Sequence, residues 1–230
     1  MDKSKLLNFI NKYSLNGLCN TVKWSAKNRG LVTDFITDDK NILGKVAVKA
    51  VNFPEGQYGI YNTKGLVKLL GILQNEVDLD VEDNTSLTFT DKTISAKFLL
   101  ASLDIIASPP AATLPEFDFE FDINSIFIDR FIKARAALDE ATVFAFAMIE
   151  GKISIVLNYA LHNTDRIIIP LESNYTLSDP LVFNIDNFKE ILAANKDCTG
   201  KVSVSTQGLL MVKCQAEDIA SVYYQVMLES

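Results

Sequence analysis

Between positions 116 and 122, four acidic residues alternate with three phenylalanines, in the order Glu116, Phe117, Asp118, Phe119, Glu120, Phe121 and Asp122. Paired carboxylates can perform general acid–base chemistry or bind a hard cation. Alternation with a period of two is instead typical of a half-buried strand, with its charged residues on the solvent-facing side. We interpret the segment as such a strand, and an acid–base or cation site there is the open alternative.

The residues that most often form metal sites and nucleophilic centres are few. The chain has one histidine, His162, and three cysteines, Cys19, Cys198 and Cys214, without C-x-x-C spacing. This set predicts neither a zinc site nor a disulfide framework. His162 falls in a polar turn without a serine or cysteine partner, so we expect it to be solvated. Because the sequence also lacks glycine-rich phosphate loops, we expect no enzyme activity, no metal and no cofactor.

Composition narrows the class of protein. The 230 residues are 48% apolar and carry a net charge of −7. No segment approaches the run of about 18 apolar residues that a membrane helix needs, and residues 1–5 lack a signal-peptide core. We therefore expect a cytoplasmic protein, in the host cell if the chain is viral. Net acidity alone argues against nucleic acid as a partner, because binding neutralises phosphates with lysine and arginine.

The distribution of charge changes that interpretation. Four segments have the apolar spacing of amphipathic helices, at residues 3–13, 63–75, 126–138 and 186–196. They hold ten of the 22 basic residues and three acidic ones, so they sum to +7 and the rest of the chain to −14 (−7 minus 7). The ten are Lys3, Lys5, Lys12, Lys64, Lys68, Arg130, Lys133, Arg135, Lys189 and Lys196. Surface helices ordinarily mix both signs, so the segregation predicts one cationic surface for a polyanion; the helix propensity of Lys and Arg is the simpler alternative.

Helical-wheel positions predict which of these side chains face outward. Lys64 and Lys68 lie opposite the leucines of their segment, whereas Arg135 falls on an apolar side and is expected to pair internally. In the fourth segment, Asp186 and Glu190 partly cancel the lysines. The side chains predicted to face the polyanion are Lys5, Lys12, Lys64, Lys68, Arg130, Lys133, Lys189 and Lys196. No base-reading motif accompanies them, so any contact with nucleic acid would be to phosphates and independent of sequence.

The chain reads as two similar halves. Residues 108–115 contain three of the six prolines and predict a connector between an amino-terminal domain, 1–107, and a carboxy-terminal domain, 116–230. Residues 58–67 and 183–192 share an aromatic-x-Ile-x-Asn-x-Lys pattern at an offset of 125 positions. Each half has two helical patterns followed by hairpin-like alternation, which predicts an α+β fold with two helices packed on antiparallel sheets in each domain.

Taken together, these features resemble the DNA polymerase sliding clamps, and most closely the clamps of T-even-like bacteriophages. The resemblance covers the whole chain: its length, its duplicated halves, its start in a helix, its proline-rich connector, the Tyr61–Leu73 segment and the closing Val222–Glu229 strand. It implies a non-enzymatic homotrimer joined head to tail into a ring, with helices lining a hole for duplex DNA. It also implies tethering of the replicative DNA polymerase, which confers processivity, and loading by an ATP-dependent clamp loader.

The resemblance also implies two protein-binding surfaces. The candidates for a pocket that takes a partner's peptide tail are Leu114, Pro115, Phe117, Tyr223, Tyr224 and Val226, for which ordinary core packing is the alternative. The subunit interface would involve residues 97–106 and 166–171. Two other functions stay open: an oligomeric scaffold or virion protein whose cationic helices bind acidic protein surfaces without encircling DNA, and an enzyme that uses the acidic strand.

Overall fold

The computed structural model describes residues 1–83, 85–111, 113–160 and 165–228. The chain divides into two compact units: unit 1 is Met1–Ala111 with Glu217–Ser221, and unit 2 is Ala112–Ala216 with Val222–Ser230. The division falls inside the proline-rich segment. His162, for which we predicted a solvated turn, lies outside the described residues, as does Glu229. None of the helices in the described part of the chain combines the length and apolar character needed to cross a bilayer.

Four α-helices occur in the described residues: α1 (Lys3–Ser14), α2 (Thr63–Gly71), α3 (Ser125–Ala136) and α4 (Ile185–Ala194). Each begins after a short polar side chain that accepts a first-turn amide hydrogen bond at 2.8 to 3.0 Å. These N-caps are Asp2, Asn62, Asn124 and Asn184. Each cap satisfies an amide that lacks an intrahelical partner. All four predicted helices are confirmed, although α2 ends at Gly71, because the Gln74 amide donates to the Asp91 carboxylate instead of continuing the helix.

Unit 1 holds two antiparallel sheets. Their strands are β1 (Val22–Lys27), β2 (Gly30–Ile36), β3 (Ile42–Val48), β4 (Gly56–Ile60), β5 (Asp78–Glu82), β6 (Ser86–Thr90) and β7 (Ser95–Leu99). One sheet has the order β4-β1-β2-β3, and the other has the order β5-β6-β7. The first residues of the last strand, β15 (Ile219–Val226), group with unit 1 and follow β3 in the strand order.

Unit 2 repeats this plan. Its strands are β8 (Phe119–Ile123), β9 (Val143–Ile149), β10 (Lys152–Leu157), β11 (Ile167–Pro170), β12 (Leu181–Asn184), β13 (Thr199–Ser205), β14 (Leu209–Gln215) and the remainder of β15. One sheet has the order β11-β10-β9-β12, and the other runs β15-β14-β13-β8. The hairpin-like alternation predicted for each half is confirmed by β6–β7, β9–β10 and β13–β14, whose turns include residues 91–92, 150–151 and 207–208.

The repeat is offset by 122 positions, not 125. The N-caps of α1 and α3 are Asp2 and Asn124 (124 minus 2), and those of α2 and α4 are Asn62 and Asn184 (184 minus 62), a spacing of 122 in both cases. The shared sequence pattern had aligned Asn62 with Asn187, which is instead a buried residue inside α4. The pattern was misleading because its apolar positions recur every three to four residues, so a shift by three keeps most of them matched.

Aromatic side chains fill the core of each unit. In unit 1, Trp24 makes edge-on contacts with Phe9 and Tyr13 of α1 at centroid distances of 5.6 and 6.2 Å. In unit 2, Phe131 of α3 and Phe188 of α4 meet at 5.0 Å in the same edge-on geometry. Such pairs contribute about 0.5–1.5 kcal/mol beyond area burial. The first pairs hold α1 against β1, and the second joins α3 to α4, so these contacts fix which helix faces are buried.

Candidate nucleic-acid interface

Helix α2 presents two cations to solvent. Lys64 and Lys68 are exposed, and Leu66 and Leu70 on the opposite side are buried, as the helical wheel predicts. Among the described residues, neither lysine has an ion-pair partner. Both ammonium groups are therefore available to an external anion.

Lys64 is held in place by a turn that the sequence analysis missed. The Asn20 carbonyl accepts the Thr63 amide, and the Asn20 Oδ1 accepts the Lys64 amide, at 3.0 and 3.1 Å. The Lys64 stem lies on Gly17, where a Cβ would come within 2.1 Å of the lysine Cε. Gly17 has a φ of +90°, which favours glycine for a second reason. In the sequence, a glycine shortly after a helical segment indicates only where the helix ends. The contact between Gly17 and Lys64 could therefore not be predicted.

Helix α1 differs from its prediction. Lys12, which was predicted to face outward with Lys5, is 0% exposed. Its neighbours Ile10 and Tyr13 are also buried, so the buried side of α1 is wider than the helical wheel indicates. Lys12 is therefore wrong as a DNA-facing residue. Lys5 is half-buried and forms an ion pair with Asp218 at 2.5 Å. This hydrogen bond with Asp218 raises the pKa of Lys5.

The neighbouring cation Lys3 is structural. Its side chain is buried, and its ammonium donates to the carbonyl of Leu73, just beyond the end of α2. A cation at the carboxyl end of a helix is stabilised by the partial negative charge of the helix dipole there. Lys3 thus joins α1 to the end of α2 and contributes no exposed charge.

Helix α3 has a second free pair of cations. Arg130 and Lys133 are exposed, and neither has an ion-pair partner among the described residues. Arg135 pairs internally, as predicted: its Nε and Nη2 donate to the two carboxylate oxygens of Asp186 at 2.9 and 3.3 Å, and its Nη1 donates to the Leu138 carbonyl at 2.8 Å. The bidentate geometry makes Arg135 a bridge from α3 to α4.

The two lysines of the fourth predicted segment, one in α4 and one just beyond it, each have an acidic partner. Lys189 is half-buried and lies 2.6 Å from Glu190, and Lys196 lies 3.8 Å from Asp129 on α3. The partial cancellation predicted for this helix is thus visible as ion pairs. The corrected repeat explains the contrast with α2, since positions 64 and 68 correspond to Asp186 and Glu190 (offset 122). The same place in the fold is cationic in unit 1 and anionic in unit 2.

The residues proposed for a partner-peptide pocket divide into two groups. Tyr223 is wrong as a pocket residue: it is 0% exposed, and its hydroxyl accepts a hydrogen bond from Asn195 Nδ2 at 2.9 Å, so it belongs to the core of unit 2. Leu114 and Val226 are 43% and 51% exposed. The others, Pro115, Phe117 and Tyr224, are half-buried. These five stay a predicted pocket.

The acidic segment leads into β8, and its Asp118 and Glu120 carboxylates have partners within unit 2. Phe119 and Phe121 are buried, while Glu120 pairs with Lys201 at 2.5 Å. Asp118 accepts the amide and hydroxyl of Thr206 at 2.7 and 2.9 Å, and these hydrogen bonds lower its pKa. In the part of the chain that the structure describes, no three potential metal ligands cluster. The strand interpretation is confirmed for residues 119–122, whereas residues 116–118 precede β8.

Comparison with known proteins identifies the architecture. No protein-family model and no curated protein matches the chain. It is similar to the A. fulgidus PCNA solved with the C-terminal region of FEN-1 (TM-score 0.78, 16% identity, 100% of this chain and 98% of that one). It is also similar to the proliferating cellular nuclear antigen of Entamoeba histolytica (TM-score 0.75, 15% identity, 99% of this chain and 96% of that one). A third similar structure is the PCNA2–PCNA3 complex of Sulfolobus tokodaii (TM-score 0.74, 14% identity, 99% of this chain and 97% of that one).

The chain has the clamp fold. The match covers nearly all of both chains, so the predicted duplicated α+β architecture is confirmed. The particular resemblance to clamps of T-even-like bacteriophages stays a prediction. Among the cations of the four helical segments, the exposed ones without an ion-pair partner in the described residues lie on α2 and α3. The solvent-facing sides of these two helices are therefore the candidate nucleic-acid interface.

Proposed function

We propose that the protein is a non-enzymatic sliding clamp that encircles duplex DNA and tethers the replicative DNA polymerase. The observation that carries the proposal is the set Lys64, Lys68, Arg130 and Lys133: exposed cations without ion-pair partners among the described residues, on two helices of a clamp fold whose whole chain has a net charge of −7. Acidic surfaces elsewhere would repel DNA, which favours contact at these helices.

Weak phosphate contacts suit this function. A protein that gripped many phosphates would bind tightly and slide poorly, whereas a closed ring stays on DNA without high affinity. Lysine is appropriate because its flexible stem and hydrated ammonium let it move from one phosphate to the next. Contacts of this kind carry no base information, in agreement with the absence of a base-reading motif in the sequence.

The repeat supports assembly into a head-to-tail ring. The first residues of β15 follow β3 in the strand order of unit 1, and the Lys49 amide after β3 donates to the Asp218 carbonyl at 2.7 Å. At the 122-residue offset, β7 takes the place of β15 and β11 takes the place of β3, yet both are edge strands of their sheets. We propose that β7 of one copy pairs with β11 of the next and closes a homotrimer; β7 overlaps the predicted interface segment 97–106, and β11 lies within the segment 166–171.

Partners are proposed on the same basis. The A. fulgidus structure contains a FEN-1 C-terminal region bound to PCNA. By analogy, a peptide tail of the polymerase would bind near Leu114, Pro115, Phe117, Tyr224 and Val226, and an ATP-dependent clamp loader would open the ring. The nucleotide would then belong to the loader.

Charge reversal on α2 tests the DNA-facing assignment. The double variant Lys64→Glu/Lys68→Glu should lower loader-dependent DNA loading at least about tenfold, because two phosphate attractions become repulsions, while the native mass stays that of the wild type. Lys92→Glu, an exposed lysine in the β6–β7 turn, is the matched control. Equal loading by the wild type and the double variant would contradict the assignment and favour the scaffold alternative.

A further inference from the structure

The outer edge of β5 is open over most of its length. On its inner side β5 pairs with β6 from Asp78 opposite Thr90 to Glu82 opposite Ser86. On its outer side, backbone pairing is limited to residues before the strand: the Lys3 amide donates to Asn75, and the Val77 amide donates to Met1, at 2.9 and 3.1 Å. In the described residues no strand continues beside residues 78–82. An edge of this kind is a template for an added strand.

Unit 2 shows how such an edge is covered. There β13 lies between β14 and β8, and β8 pairs with it from Phe119 opposite Val204 to Ile123 opposite Gly200. In unit 1, Met1–Lys3 lies beside residues 75–77, just before β5. Among the described residues, β5 has no paired strand on the side where β13 has β8.

Two apolar side chains of β5 lie partly in water. Leu79 and Val81 lie opposite Phe89 and Leu87, which are fully buried, so all four face the core side of the sheet. Leu79 and Val81 are nevertheless only half-buried. When the β5–β6 and β13–β14 hairpins are aligned at their turns, Leu79 and Val81 correspond to Val202 and Val204 of β13. Both valines are 0% exposed in the strand that pairs with β8. An added strand with apolar inward residues would complete this burial.

The charge on the edge selects the kind of strand. The outward residues Asp78, Asp80 and Glu82 are all exposed acids, and Glu82 alone has a lysine partner, Lys97. Across the covered edge of unit 2, Glu120 of β8 pairs with Lys201 of β13, so opposite charges meet there. A second copy of β5 would place acids against acids, which is unfavourable. The complementary strand therefore carries basic outward residues.

We propose that the outer edge of β5 binds an extended segment of a partner protein, in which lysine or arginine alternates with aliphatic or aromatic residues, as an additional antiparallel strand. Main-chain hydrogen bonds to residues 78–82 provide the affinity, and the alternation fixes which face the basic residues occupy. This inference does not rest on the proposed DNA function.

A synthetic peptide tests the proposal on the full chain. The probe is an amidated heptapeptide of alternating lysine and valine, and its controls are the alternating glutamate–valine peptide and a block peptide with all lysines before all valines. Amide exchange by NMR should show about tenfold slower exchange at alternate residues of 78–82 with the lysine peptide alone. Asp80→Lys should weaken its binding about fivefold or more, whereas Asp104→Lys, an exposed acid outside this edge, should not.

The outcomes separate the alternatives. Protection of residues 78–82 that the lysine peptide alone produces, and that Asp80→Lys removes, supports the proposal. Absence of protection at millimolar peptide, or equal binding of the lysine and block peptides, overturns it, because charge alone then accounts for the contact. Protection that increases with protein concentration without peptide also overturns it, since the occupant is then a second copy.

Discussion

At the scale of the residue, Lys12 and Lys64 show what a helical wheel can and cannot predict about the exposure of a side chain. Both were placed outward by periodicity, yet Lys64 is exposed and Lys12 is fully buried. The wheel gives the direction of the apolar face but not the width of the arc that neighbouring elements cover. Only the packing of α1 against β3 and α2 decides that width, and the sequence does not display it.

Asp91 is a residue whose role depends on tertiary contacts. Its carboxylate accepts the amides of Gln74, Thr93 and Ile94 at 2.7 to 2.8 Å, and these hydrogen bonds, with Gln74 first, lower its pKa well below the ordinary range. The side chain thereby ties the β6–β7 turn to the chain after α2. The loss of this tie is expected to destabilise unit 1.

We predict that Asp91→Ala lowers the free energy of unfolding at pH 7. The folded pKa is depressed, so the stabilisation is present above the unfolded pKa of about 3.9 and is lost as the pH falls toward the folded value. The difference between variant and wild type should therefore shrink below about pH 4, as measured by urea unfolding at pH 7 and pH 3. Asp104→Ala is the control. A difference independent of pH would contradict the account.

At the scale of the element, α3 is connected by ion pairs to α4 and to the residues just after it. Arg135–Asp186 links the two helices, Lys196–Asp129 links α3 to the chain beyond α4, and Lys189–Glu190 lies within α4. Of the three, only Lys196–Asp129 is exposed on both sides, and an exposed pair contributes about 0–1 kcal/mol to stability. The pairs also change the charge that the lysines present, because an adjacent acid weakens the attraction of Lys189 and Lys196 for an external anion.

Neutralising two of these acids should strengthen DNA binding. In Glu190→Gln/Asp129→Asn, Lys189 and Lys196 lose their partners, so we expect tighter binding and a salt slope, log K against log salt, steeper by up to about 2. The measurement is a DNA titration at several salt concentrations. Asp179→Asn, an exposed acid of unit 2 outside the helices, should leave the slope unchanged. An unchanged slope in the double variant would show that α4 does not approach DNA.

Elements were more predictable than their partners. The four helices, the hairpin-like alternation and the inward direction of Arg135 follow from local patterns, since alternation and apolar faces are set within a few residues, whereas the N-caps were not predicted. The partner of Lys5 is Asp218, which lies 213 positions away, and no local rule identifies it. The repeat offset needed the N-caps in three dimensions, because apolar periodicity matched equally well at a shifted register.

At the scale of the whole molecule, the proposed ring depends on two edge strands. Leu99 at the end of β7 is 58% exposed, and a subunit that paired with this edge would cover it. We predict that Leu99→Asp converts the proposed trimer to monomers, because a buried unpaired charge at an interface is costly. Light scattering measures the mass, and circular dichroism checks that the fold is retained. A trimer in the variant would place the interface elsewhere.

The claim that the protein encircles DNA has a direct test. The clamp is loaded by its loader and ATP onto a nicked circular duplex, the complex is separated from free protein, and a single cut then linearises the circle. We expect the protein to leave through the free ends within the time of sliding, while uncut circles retain it. Equal retention on linear and circular DNA would contradict encirclement, because binding would then depend on contacts and not on a closed ring.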